Sequence, residues 1–379
     1  MKVSYLCSAH PPYDKRVHYK ISNSLAKYGY KVINIHPNIK KENLMGNISI
    51  DGFTRKNGYI NRLISLINLY KKGKEISPNI IIAPEPDSLV VAYFLKLFDK
   101  NNIKVIFDCH EWYEIHFKEK IDNKIVANLL NNITAFILRN ICKRIDAVLC
   151  VNDTMKNKYL QFNKNSFCIP NSLSVDPEQL DSNIQRDKCS FIFVGNFCDK
   201  RQETILIDAA KRLKKENSKA KIRILGGYLN DESYEDNRNE YRLLIEENNI
   251  EDNIEIIPWM SPAEAKDFMK GHLAGITRFD SYLYGEHHCL PNKIFDYMSA
   301  NLAVITCEQN KETSTIVKEN KCGIAISEES GEALANGILK MVDNIDDSIR
   351  MGENAYKTIF NKYNWDQYEV KISEILKSI

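Results

Sequence analysis

Nowhere in the 379 residues are two aspartates separated by a single intervening residue. The paired carboxylates that hold a divalent ion beneath a diphosphate are therefore missing, and helix dipoles with Arg or Lys must meet any diphosphate instead. None of the ten cysteines forms a C-x-x-C pair, and no histidine cluster has metal-ligand spacing, which argues against a zinc site and leaves no metal or cofactor called for. Cys7, Cys150 and Cys307 sit in apolar runs and read as reduced core residues of a cytoplasmic protein. No uninterrupted apolar run approaches the roughly 18 residues of a spanning helix. The chain starts with a charge and a strand, without the apolar core and cleavage site of a signal peptide. The expectation is a soluble or peripheral protein.

What is present divides in two. A chain of 379 residues with 44% hydrophobic content has enough apolar surface for two ordinary cores. The net charge of +2 conceals an asymmetry: residues 1–175 hold 26 Lys and Arg against 14 Asp and Glu, a net of +12, and the remainder is −10. Such a split points to an anionic partner near the first half, either a membrane surface or a nucleic acid, or to mutual attraction of the halves. No recognised nucleic-acid motif accompanies it.

Short apolar runs alternate with helical stretches. Strands are predicted at Lys2–Cys7, Lys31–Ile35, Ile80–Ala83, Lys104–Asp108 and Ala147–Val151. The first helix carries Val17, Ile21, Leu25 and Tyr28 on one stripe and stops at Gly29. After a polar stretch from Asn171 to Lys188 the rhythm restarts with Phe191–Gly195, Lys221–Gly227 and Ile254–Ile257. This pattern predicts an α/β protein of two doubly wound, Rossmann-like domains with ligands at the carboxyl edges of their parallel sheets. Two stretches, Tyr59 to Glu75 and Lys124 to Arg144, are apolar with basic flanks. They fit helices lying on an anionic membrane, or core helices whose polar side is basic.

Two places promise chemistry. Phe107-Asp108-Cys109-His110-Glu111 ends a strand, which puts His110 and Glu111 at the working edge of a sheet, where an imidazole of neutral pKa can hydrogen-bond a ligand, unless both merely cap a helix or bond to loop backbone. Further on, Cys289-Leu290-Pro291-Asn292-Lys293-Ile294-Phe295-Asp296-Tyr297-Met298-Ser299-Ala300 leads into Leu302-Ala303-Val304-Ile305-Thr306. It reads as a loop, a helix with Pro291 just inside its start, and a buried strand. The helix start favours an anion such as a diphosphate, and the Asp296 carboxylate can accept from two adjacent ribose hydroxyls. An ordinary surface helix with an acid favouring its dipole is the alternative.

The second stretch resembles the signature of retaining nucleotide-sugar glycosyltransferases of family 4, which have the GT-B fold: P-x-K-x-F-E-Y-M-A followed by a P-V-I strand. Pro291, Lys293, Phe295, Tyr297, Met298, Val304 and Ile305 match; Asp296 stands where the family usually has Glu, and Ala303 where it has Pro. The fuller motif has an acid eight positions before this one, where the chain has His288, with Glu286 a candidate replacement. The resemblance implies an acceptor-side domain over 1–172 with helix 365–379 crossing back onto it, and a donor domain over 186–364. Asp296 then holds ribose, while Arg201 and Lys293 grip the diphosphate. Asn196 occupies the place of the family's usual Arg, and Asn292, Glu286 and His288 line the donor. His110 contacts the sugar and Glu111 orients it or meets the acceptor. Glu85 and Asp87 resemble the subgroup's D-P-E element, and Asp14 and Arg16 its D-x-R element, all on the acceptor side, although a local Asp14 to Arg16 surface pair is the simpler explanation of the latter two. The implied partners are a nucleotide diphosphate sugar, most often a UDP-sugar, and a polyprenyl-diphosphate-linked or other glycan acceptor of a bacterial surface polysaccharide. No metal is needed. A sugar-nucleotide epimerase of the same architecture, or a catalytically silent homologue serving as a partner subunit, are the rivals.

Overall fold

Strands here are short and apolar at successive positions, so they hold together only when both faces are covered. Ile80–Ala83 and Ala303–Cys307 are buried at every residue, which is the mark of a parallel sheet between helix layers. The computed structural model describes all residues except 45, 57, 99–101, 116, 118–120, 122, 177–184, 196–199, 227–231, 259 and 280–289, and leaves out the side chains of 59, 60, 200, 232–238 and 262 as well. Two compact units result, Met1–Asn171 with Asp366–Ile379, and Ser172–Trp365.

The first unit contains β1 (Lys2–Leu6), β2 (Lys31–Pro37), β3 (Glu42–Asn43), β4 (Ile48–Phe53), β5 (Ile80–Ala83), β6 (Lys104–Cys109), β7 (Ala147–Cys150) and β8 (Ser166–Cys168). Their order is β3-β4-β2-β1-β5-β6-β7-β8, parallel except for the β3–β4 pair. Its helices are α1 (Lys15–Ser22 in wide, π-type turns, continued by Asn23–Lys27), α2 (Tyr59–Ile76), α3 (Pro86–Phe98), α4 (Lys124–Cys142) and α5 (Asp153–Leu160). Val17, Ile21 and Leu25 are buried as their spacing predicts, but Tyr28 is 40% exposed. The chain turns away there through Gly29 at φ +83°, a conformation that costs glycine little.

The second unit repeats the plan with β9 (Ser190–Val194), β10 (Lys221–Leu225), β11 (Ile254–Ile257), β12 (Ala274–Ile276), β13 (Ala303–Cys307) and β14 (Gly323–Ile326), ordered β11-β10-β9-β12-β13-β14 and all parallel. Around them lie α6 (Lys200–Lys215), α7 (Glu232–Glu247), α8 (Pro262–Lys270), α9 (Lys293–Ser299), α10 (Lys311–Glu319), α11 (Gly331–Asp343) and α12 (Ile345–Lys362). α13 (Trp365–Ser378) closes the chain and, from Asp366 onward, belongs to the first unit: Glu369 pairs with Lys27 at 2.6 Å, and Lys371 donates to the Cys168 carbonyl at 3.2 Å. The polar stretch after Asn171 is not all free linker. Val175 is buried and exchanges hydrogen bonds with the Asn364 amide at 3.4 and 2.9 Å.

Candidate active site

A doubly wound sheet offers its crevice where strand order reverses, beyond the carboxyl ends of the two strands that part there. In the first sheet that place lies between β1 and β5. The Glu85 carboxylate, just past β5, accepts from the backbone N–H groups of Ser8, Ala9 and His10 at 3.0, 2.9 and 3.0 Å, from His10 Nδ1 at 2.6 Å and from Ser88 Oγ at 2.9 Å. Burial pushes its pKa up, but the His10 bond and charge with the backbone donors outweigh this and hold it at about 2. Glu85, expected on the acceptor side, thus spends its oxygens in organising the loop after β1. Asp87 accepts from the Ser8 hydroxyl and from Arg62 at 2.8 and 3.1 Å.

His110 follows β6 at the same edge. Its Nδ1 lies 3.0 Å from the Asp108 carbonyl oxygen and its Nε2 3.0 Å from His10 Nε2. Burial first, with the Arg16 and His10 cations adding to it, lowers its pKa despite the Asp108 charge. Glu111 is exposed.

Asp14 and Arg16 are used differently from either sequence reading. Asp14 caps α1, accepting from the N–H groups of Arg16 and Val17 at 2.8 Å each. The Arg16 guanidinium turns inward and forks onto Asp108 at 2.6 to 3.0 Å, with further bonds to the Ile169 carbonyl and Asn171 at 2.9 and 2.8 Å. Arg16 is 4% exposed and Asp108 fully buried, so this is an internal ion pair out of reach of a large acceptor. Burial raises the Asp108 pKa and Arg16 more than reverses it, leaving the carboxyl below its usual range.

In the second sheet the reversal falls between β9 and β12. The Tyr297 hydroxyl, on α9, sits across it: it accepts from Val194 N–H at 2.9 Å and donates to the Ile276 carbonyl at 2.9 Å. Gly275 makes room, since a Cβ there would stand 2.2 Å from the Tyr297 ring. α9 begins at Lys293, two residues after Pro291, because Ile294 and Phe295 N–H first close a tight turn onto Pro291 and Asn292 at 3.2 and 3.1 Å. That turn takes up two of the backbone donors expected to face a diphosphate. Lys293 Nζ and Asp296 Oδ2 are 3.4 Å apart and partly exposed, a pair weak enough, at about 0–1 kcal/mol, to be exchanged for a ligand. The Asn292 side chain makes no capping bond. Arg201, in the first turn of α6, lies 3.3 Å from the buried Glu329 carboxylate. Gln202, standing where the resembled motif has Gly, accepts from Phe279 N–H at 2.7 Å and so ties the start of α6 to the segment after β12. Asn196, Glu286 and His288 lie outside the described residues, among which no three His, Cys, Asp or Glu side chains gather as a metal site would.

The family described as "Glyco_transf_4: Glycosyltransferase Family 4" matches residues 15–176, and "Glycosyl transferases group 1" matches 176–358. The chain is a family 4 glycosyltransferase of the GT-B fold. Among solved structures, sucrose-phosphate synthase from Thermosynechococcus elongatus is 13% identical with a TM-score of 0.75, covering 100% of this chain and 98% of its own. HepE from Anabaena, in complex with UDP-glucose, is 13% identical with a TM-score of 0.70 over 100% of both chains. S. aureus TarM, in a complex that includes UDP, is 18% identical with a TM-score of 0.60, covering 82% of this chain and 58% of its own. No curated protein sequence matches significantly.

Sequence reasoning about this glycosyltransferase passed over His10, the partnership of Arg16 with Asp108, and the hydroxyl bridge of Tyr297. His10 was within reach: it follows β1 at the carboxyl edge, as His110 follows β6, and the rule that singled out one applies to the other. The glycosyltransferase also leaves apolar side chains in solvent on α2 (Leu63, Ile64, Ile67), α3 (Phe94, Leu97, Phe98) and α4 (Leu129, Phe136). α4 is long and apolar enough to cross a membrane by length and composition, with a mean hydropathy of 1.3. Its other side, Ala127, Asn131, Leu138, Ile141 and Cys142, is nevertheless buried in the first unit.

Proposed function

We propose that this glycosyltransferase moves a sugar from a UDP-sugar to a hydroxyl of a glycan or lipid-linked glycan in the building of a bacterial surface polysaccharide, retaining the anomeric configuration and needing no metal. The observation that carries the reading is the pair Lys293 and Asp296 at the opening of α9, 3.4 Å apart. One cation and one carboxylate there suit a diphosphate and a ribose. Arg201 opens α6, the helix that follows β9, and supplies a second cation. HepE and TarM having been solved with UDP favours UDP as the leaving nucleotide. The sugar contact is assigned to His110. The departing phosphate takes the acceptor proton, so no strong protein base is required. Fixed charges on the leaving group do most of the work, one such donor contributing about 100- to 1,000-fold.

The acceptor's lipid supports a place on the inner face of the membrane. α2 and α4 carry the exposed apolar side chains, and α4 has Lys124 and Arg139 and no acidic residue along Lys124–Cys142, which suits an anionic surface.

Thermal stabilisation by UDP, GDP, ADP and CMP tests the donor assignment, because a ligand that binds only the folded state raises apparent stability. UDP is expected to shift the wild type and to lose that shift in Asp296→Ala. A shift with none of the four nucleotides would point to the silent partner subunit instead.

A further inference from the structure

At the switch point of the first sheet two imidazoles meet nitrogen to nitrogen. His110 Nδ1 stands 3.0 Å from the Asp108 carbonyl oxygen, which only accepts, so that nitrogen carries a hydrogen. His10 Nδ1 stands 2.6 Å from the ionised Glu85 carboxylate and carries one for the same reason. The two Nε2 atoms are 3.0 Å apart. Without a further proton two lone pairs would face each other; with one, they form a hydrogen bond and the pair bears a single positive charge. Tyr113 does not supply it, since its hydroxyl donates to the Pro84 carbonyl at 2.7 Å and is 3.5 Å from His110 Nε2.

The surroundings decide which ring holds the charge. Glu85 faces His10 from the start of α3, Asp14 from the start of α1 and Asp108 from the end of β6. Burial lowers the His10 pKa, but the Glu85 bond and these carboxylates raise it to a net value above the ordinary one. His36, on β2, has its Nδ1 2.9 Å from the His10 carbonyl oxygen, and burial lowers its pKa. Arg55 donates to the Ser8 carbonyl at 2.7 Å. His110 has Arg16 and His10 against it and Asp108 and Glu111 in favour, and burial leaves it the more reluctant of the two to take a proton.

We propose that His10 is a positioning residue: an imidazolium clamped by Glu85 that donates its Nε2 hydrogen to His110 Nε2 and so fixes the ring plane and tautomer with which His110 meets the substrate. This rests on the reading of His110 as the sugar contact. Both His110 nitrogens are then engaged, so a sugar hydroxyl that bonds to His110 takes Nε2 over from His10, at an acceptor whose plane and tautomer the pair has already set. Since the His10 pKa is raised, the imidazolium persists to higher pH than that of a free imidazole and is lost as pH climbs through that raised value; the hold on His110 goes with it.

Long-range proton–nitrogen NMR on histidine-labelled full-length protein, assigned with His10→Gln and His110→Gln, reads the protons directly. At pH 6, below the ordinary imidazole value of about 6.5, one ring protonated on both nitrogens (His10) and one fixed with hydrogen on Nδ1 (His110) are expected; both rings neutral would overturn the proposal whatever the activity. UDP release from UDP-glucose and UDP-N-acetylglucosamine gives the second readout. His10→Ala should lower kcat about 10- to 100-fold, the cost of a misplaced group, with KM changed less than about 3-fold. His10→Gln, whose amide can still donate, should recover about 10-fold of that loss and remove the alkaline fall in kcat. Equal kcat and equal pH profiles in wild type and His10→Ala would also overturn it. No turnover of either sugar nucleotide, together with the expected NMR pattern, would count against the transfer reading and leave the His10–His110 bond standing.

Discussion

Replacing Arg16 by Met is the sharpest test of how the first unit is held together. The side chain is 4% exposed, and its partner Asp108 fully buried. Removing the guanidinium leaves a buried carboxylate whose remaining partner is the Tyr5 hydroxyl at 3.2 Å, and takes a donor from the Ile169 carbonyl at 2.9 Å. Breaking one side of such a pair costs about 3–5 kcal/mol. For a unit of this size about 2–4 °C of Tm accompanies each kcal/mol, so the transition of the first unit should fall by roughly 6–20 °C. The Asp108 carboxyl lies below its usual pKa in the native protein, and such a group contributes stability above its unfolded pKa that is lost as pH falls. The Arg16→Met deficit should therefore be larger at pH 7 than at pH 4.5, where an unpaired Asp108 can take a proton. Arg16→Met with Asp108→Asn, which removes both charges, should be about 2 kcal/mol more stable than Arg16→Met alone. Urea unfolding followed by fluorescence measures each case. A loss below about 1 kcal/mol, the range of an exposed pair, with donor or acceptor kinetics impaired instead, would refute the internal role and return Arg16 to the acceptor.

Three further outcomes follow from particular contacts. The Glu85 carboxyl, held at about 2, contributes about 3 kcal/mol that is present above about pH 4.5 and is lost toward pH 2; Glu85→Gln should be destabilised at pH 7 and near wild type at pH 2.5, and an equal difference at both would sink the assignment. Tyr297→Phe orphans Val194 N–H and the Ile276 carbonyl and should cost about 1–3 kcal/mol in the second unit alone, together with a smaller UDP-induced Tm shift; no change in either measurement would deny the bridge its role. Flotation with vesicles should show binding to anionic but not zwitterionic lipid, lost in Leu129→Ser/Phe136→Ser, both side chains being more than half exposed; binding that survives this double substitution would exclude α4 as the contact.

Much of the frame was legible because it depends on local rules. Four-residue runs rich in isoleucine, such as Ile80–Ala83 and Ile254–Ile257, appear as β5 and β11 with the bounds their composition sets. β12, Ala274–Ile276, escaped because it is only three residues long and two of them, Ala274 and Gly275, are poor strand formers. Their place is set by a tyrosine more than twenty positions away that fills the space above Gly275.

The sequence by itself determined the alternation of strand and helix, the restart after Asn171, the family, and the helix that brings Lys293 and Asp296 within one turn. Each of these is a relation between neighbours in the chain, and spacing is enough to express it. Only the tertiary structure decided that Arg16 belongs to Asp108 rather than to Asp14, that Glu85 binds the loop after β1, and that His10 and His110, a hundred residues apart, bring their Nε2 atoms to 3.0 Å. These partners arrive together because parallel strands β1, β5 and β6 deliver their carboxyl ends to one edge. Burial then makes an unpaired charge too costly to leave, so each finds the opposite charge or donor that the sheet has brought within reach.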